Sequence, residues 1–69
     1  LWLPRGWAFP EHQHHFSEIH FQVAGQCTWL VEGGRKFVTK ANDCFFVPAG
    51  CKHALAGNAQ DDRRFYYCQ

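Results

Sequence analysis

Methionine is missing from this sequence altogether, and no stretch of it reads as a helix of useful length. Charge of either sign is sparse. A net charge of +1 creates no broad field, which argues against direct nucleic-acid contact; Arg35-Lys36 and Arg63-Arg64 are expected to be solvated strand faces. No apolar run approaches the length of a membrane span. A secretory leader is not evident either, because Leu1 to Phe9 is interrupted by Pro4, Arg5 and Gly6. The four cysteines include no CxxC pair, so they are expected to be reduced and mostly half-buried in a cytoplasmic protein. With Leu1 at its start and no methionine, the chain is expected to be a single domain, 1–69, cut from a longer protein. A chain of this size buries only about 60% of its unfolded surface. A metal, a second subunit or a parent chain is expected to supply the missing stability.

What is present is β-forming. Short runs of β-branched and aromatic residues alternate with turn signals, and predict strands at Trp7-Phe9, Glu18-Ala24, Cys27-Glu32, Lys36-Lys40, Asp43-Val47, His53-Ala56 and Arg64-Cys68. Gly33-Gly34 suits a two-residue hairpin of type I′. Val47-Pro48-Ala49-Gly50 predicts a type I turn with proline at its second position, which aims His53 back along the preceding strand. The three Trp and seven Phe are read as filling a small core rather than stacking on bases.

The chemistry sits in His12, His14, Glu18 and His53. On extended chain His12 and His14 share a face. Glu18 has the same parity, yet an unbroken strand would carry it roughly 13 Å beyond His14 at about 3.3 Å per residue. The chain must therefore turn near Phe16-Ser17 for both to reach one ion. Singly, each residue reads as a polar group satisfied by hydrogen bonds. Together, three imidazoles and a carboxylate suit one divalent ion from Mn, Fe, Co, Ni, Cu or Zn and leave room for a ligand; affinity alone does not choose among these ions.

Gly6, His12-Gln13-His14, Glu18 and Gly25, followed by Pro48-Ala49-Gly50 and His53, resemble the two signature motifs of the cupin superfamily over residues 6 to 53. The sequence departs from the pattern at Asn42, where the second motif begins with glycine, and at Gly57, where it ends with asparagine. Asn42 is expected to tolerate the left-handed turn. The resemblance implies an all-β fold, a small antiparallel jelly-roll barrel with the ion or ligand in its mouth. Pro10-Glu11-His12-Gln13-His14, Glu18-Ile19-His20-Phe21, Val23-Ala24-Gly25 and Phe46-Val47-Pro48-Ala49-Gly50 look like the N-terminal cupin of AraC-type transcription regulators. That likeness implies a module that senses a small-molecule effector and dimerises, with DNA contacted by helices this chain does not contain. The rival readings are a metal-dependent cupin enzyme of dioxygenase or isomerase type, with His20 as general acid or base, and a stand-alone small-molecule or sugar-binding barrel.

If Glu18 faces inward, so do His20 and Gln22, which become candidate ligand contacts or hydrogen-bond partners of a metal ligand. Ile19, Phe21 and Val23 then form an apolar outer stripe suited to a homodimer. His15, out of phase, is expected in solvent. Cys51 is expected to be a structural thiol, and one or two of Trp29, Phe37, Phe45, Phe46 and Tyr66 to wall the pocket.

Overall fold

The computed structural model describes residues 1–69 and contains eight strands and no helix, hence none long and apolar enough to cross a membrane. In chain order the strands are β1 (Trp2–Leu3), β2 (Phe9–His12), β3 (Glu18–Ala24), β4 (Gln26–Val31), β5 (Arg35–Lys40), β6 (Cys44–Val47), β7 (His53–Leu55) and β8 (Arg63–Cys68). They form two four-stranded antiparallel sheets, ordered β1-β8-β3-β6 and β2-β7-β4-β5. These face each other as a jelly roll whose sheets are not joined edge to edge by hydrogen bonds. Between them lies a core of Leu3, Cys27, Trp29, Leu55 and Phe65, with Phe9, Val31 and Phe45 packed against it.

Alternation on β3 buries Glu18, His20 and Gln22 and exposes Ile19, Phe21 and Val23. Turn chemistry fixes the connections. The hairpin between β4 and β5 has three loop residues rather than two, since Val31 pairs with Arg35, and both Gly33 and Gly34 have positive φ. Gly25, at φ +80, closes β3 onto β4 where a Cβ would collide with the Asp62 carbonyl oxygen and the Arg63 side chain. Asn42 is the one non-glycine residue with positive φ, at 78°, in line with the tolerance expected of it.

Four further expectations need correction. Strand β1 was not foreseen: two residues carry little pattern, and the strand exists because the Leu1 and Phe65 backbones exchange hydrogen bonds. Strand β2 runs Phe9–His12 rather than Trp7-Phe9. The turn at Pro48 begins one residue later than predicted, with the Cys51 N–H donating to the Pro48 carbonyl and Gly50 at φ +79. Positive φ in the third position is the type II arrangement, so glycine is required there. Finally, Arg63 is fully buried rather than solvated, because β8 turns it inward, where its Nη2 donates to the Pro4 and Trp7 carbonyls.

Candidate metal and ligand site

Two features of backbone geometry assemble the site. The first is a bulge in β2. Phe9 pairs with Leu55 and His12 with His53, so three steps on β2 match two on β7. The extra residue reverses the parity beyond it and lets Phe9 and His12 both face the interior. The second is a pair of staples between distant loops. The Gly50 N–H donates to the His14 carbonyl at 2.8 Å, and the Ala49 N–H to Ser17 Oγ at 3.0 Å. They clamp the bend at His15-Phe16 against the turn that delivers His53. The bend lies within a residue of the position that the reach of Glu18 requires.

His12, His14 and His53 each present a ring nitrogen, and these nitrogens lie within 4.8 Å of one another. Glu18 flanks them, its Oε1 at 3.7 Å from His14 Nε2 and 3.5 Å from His20 Nε2. The tautomers suit a metal. His12 Nδ1 is 3.0 Å from the Pro10 carbonyl and His53 Nδ1 is 2.9 Å from that of Cys51. A carbonyl accepts only, so each Nδ1 donates, and in the neutral ring the lone pair is then on Nε2 and available to an ion. Burial holds the His53 imidazolium below its ordinary range, and the neighbouring His12 and His14 push the same way against the Cys51 hydrogen bond and Glu18. A neutral imidazole is the form that ligates. The three imidazoles therefore fit a divalent transition ion, and the Glu18 carboxylate lies beside them, 3.7 Å from His14 Nε2.

His20 lies behind Glu18, stacked between Phe45 at 4.9 Å and Tyr67 at 5.7 Å between ring centroids. Its Nδ1 is buried without a partner. Gln22 is deeper still and fully buried; its amide donates to the Gly25 carbonyl and its Oε1 accepts from the Thr39 hydroxyl, which in turn accepts from Trp29 Nε1. Gln22 lines neither of the two main cavities. One, of about 270 Å³, is walled by His12, His14, Glu18, His20 and Tyr67. The other, of about 340 Å³, opens between β5 and β6 and is lined by Trp29, Phe37, Phe45, Phe46 and Cys51, among others. His53, Trp29 and Val47 border both. Tyr66, by contrast, points out, and its neighbour Tyr67 is the inward ring. Cross-strand pairing of Tyr67 with His20 sets that phase, which sequence alone did not reveal.

The AraC-like ligand binding domain family matches residues 2–68. The chain belongs to this family. Its AraC-like architecture is that of the cupins: a RmlC-like cupin family protein with a double-stranded β-helix fold from Methanocaldococcus jannaschii superposes with a TM-score of 0.83 at 23% identity, over 96% of this chain and 61% of that one. Dimethylsulfoniopropionate lyase DddQ from Ruegeria pomeroyi is 37% identical over 54 residues, which span 78% of this AraC-like chain and 27% of the lyase. The crystal structure of that lyase superposes with a TM-score of 0.82 at 30% identity, over 96% of this chain and 33% of that one. A predicted oxalate decarboxylase from Thermotoga maritima gives 0.77 at 25% identity, over 96% and 57%. The matched segment thus spans about a quarter of the length of the curated lyase.

Proposed function

We propose that this cupin domain holds one divalent transition metal on His12, His14 and His53, with Glu18 completing the set, and binds a small organic molecule beside it. The observation that carries the reading is the convergence of three ring nitrogens within 4.8 Å, two of them with the opposite ring nitrogen committed to a backbone carbonyl. When bound, the ion supplies Lewis-acid polarisation of a ligand oxygen.

Of the outputs such a site serves, metal-dependent catalysis fits the geometry best. Glu18 and His20 form a buried pair at 3.5 Å on the wall of the metal chamber, and imidazole is suited to proton transfer near neutrality. The His20–Glu18 pair, Nε2 of the one facing Oε1 of the other, is the candidate proton acceptor. The 37% identity to a lyase supports carbon-centred elimination from a small organic acid as the reaction type. The second reading is the effector-sensing and dimerisation module of an AraC-type regulator, supported by the family match over residues 2–68 and by the exposed apolar stripe of Ile19, Phe21 and Val23. Under either reading the four unpaired thiols suit a reducing, cytoplasmic setting.

Metal analysis of tag-free protein beside His12→Ala and His53→Ala variants tests the centre. The wild type is expected to carry close to one equivalent and the variants, folded by circular dichroism, much less. Equal loading in all three rejects the site. Dimethyl sulfide release from dimethylsulfoniopropionate, abolished by chelation and by His20→Gln with metal content unchanged, supports catalysis. Metal loading and small-acid binding without turnover favour the sensor.

A further inference from the structure

Arg35 occupies a place that a loop cation would not need. Val31 pairs with Arg35 on one side and with His53 on the other, and His53 pairs with His12. These residues therefore form one row across the sheet, and antiparallel partners project to the same face. Arg35 thus springs from the interior face that carries the imidazoles, two strand spacings or about 10 Å from His53. Between them lies the apolar cleft of about 340 Å³. Among the residues that line it, Arg35 alone carries a permanent charge. That charge has no carboxylate partner, since the ion pairs of the chain are both made by Glu18 with histidines. Its Nε reaches only the Glu32 carbonyl, at 3.5 Å, and its guanidinium rests 5.9 Å from the centre of the Phe37 ring.

A cation at the rim of an otherwise apolar cleft is complementary to one ligand class. The geometry points to a binding site for a small amphipathic monocarboxylate, its carboxylate paired with Arg35 and its apolar body lying over Phe37, Phe45 and Trp29 toward His53. Guanidinium matches a carboxylate in two parallel hydrogen bonds, while the aromatic wall takes the hydrocarbon. The inference deepens the small-molecule reading above by naming the ligand class, and it rests on that reading only for the far end of the ligand. An uncharged molecule forfeits the guanidinium; an amine is repelled by it.

Calorimetric titration of the whole chain with octanoate, 1-octanol and octylamine provides the test, run on chelator-treated and on zinc-loaded protein. Octanoate is expected to bind both forms at least tenfold more tightly than 1-octanol, and octylamine more weakly than either. Arg35→Gln is expected to reduce octanoate affinity at least tenfold and leave 1-octanol unchanged, Arg35→Lys to recover part of the loss, and Arg64→Gln, on the outer face, to change nothing. Equal affinities for octanoate and 1-octanol, or unaltered octanoate binding in Arg35→Gln, overturns the assignment. So does octanoate binding confined to the zinc-loaded form and indifferent to residue 35, because the carboxylate is then on the metal. Octanoate binding that needs Arg35 in protein that takes up no zinc refutes the metal centre and leaves this site standing.

Discussion

His12 and His53 are directly opposed partners on β2 and β7, with ring centroids 4.3 Å apart. Their proximity is a property of strand register. A shift of one residue would send one ring to the outer face, so the pairing of Phe9 with Leu55 and the bulge that follows it are what make two remote histidines neighbours. The loops do the same for His14. Its backbone is held by the Pro48 turn, while its ring stacks on Phe16 and faces Glu18.

Ser17→Ala tests that dependence. The substitution removes the acceptor for the Ala49 N–H but leaves the Gly50 to His14 bond in place. At this exposed position the stability loss is expected to be about 0.5–1.5 kcal/mol, readable in a urea midpoint. Metal affinity is expected to fall several-fold, because the bend and the turn are then held by one staple. An unchanged metal dissociation constant would show that the second staple suffices.

Two glycines separate conformational strain from collision. Gly25 and Gly34 both have positive φ, yet a Cβ at Gly34 meets nothing within 4 Å, while one at Gly25 strikes the Asp62 carbonyl and the Arg63 side chain. Gly34→Ala is expected to cost about 1–2 kcal/mol from backbone preference alone. Gly25→Ala is expected to cost clearly more, since Asp62 is backbone and Arg63 is anchored to Pro4 and Trp7. Thermal midpoints of the two variants, compared side by side, decide the point.

Alkaline stability is expected to report on Cys27. Burial raises the pKa of this thiol above its ordinary 9.0, against the opposing influence of Arg63 and the hydrogen bond from Thr39. Above pH 9 the unfolded chain therefore loses this proton before the folded one does. The stabilisation is fully present below that pH and is lost as the pH rises through the folded value. Denaturant unfolding of wild type and Cys27→Ala between pH 7 and 10.5 is expected to show a stability gap that is constant up to about pH 9 and narrows beyond it. A gap independent of pH would remove the thiol from the account.

The outer face of the sheet containing β3 presents Ile19, Phe21, Val23, Phe46 and Tyr66 together, all exposed. A contiguous apolar patch of this kind favours self-association. Sedimentation is expected to show a concentration-dependent dimer, and Phe21→Asp to shift it to monomer without altering metal content. A wild-type monomer at millimolar concentration would refute the interface.

How much of this was legible in the residues varies with the length scale of the interaction. The alternation of Glu18, His20 and Gln22 with Ile19, Phe21 and Val23 gave the two faces of β3 correctly, because period-two patterning is local. The resemblance of Gly6 to His53 to the cupin motifs led to the jelly roll and its imidazoles. Arg63 misled, since a basic doublet reads as solvated until the carbonyls of Pro4 and Trp7 arrive from the other end of the chain. Gln22 shares the inward phase of His20, but only the Thr39 hydroxyl and the Gly25 carbonyl, on other segments, reveal that its amide is committed to the core. Arg35, read as part of a solvated strand face, is not recognisable from the sequence as a ligand contact, because its place in the His53 row exists only through β4.

The bond that anchors His14 runs from the Gly50 amide to the carbonyl of residue 14, and takes no part of the imidazole. Any amino acid has that carbonyl. The side chain at this position is therefore free to change while the surrounding scaffold keeps its shape, so that descendants of one ancestral barrel can alter the chemistry of the cavity wall without first having to refold.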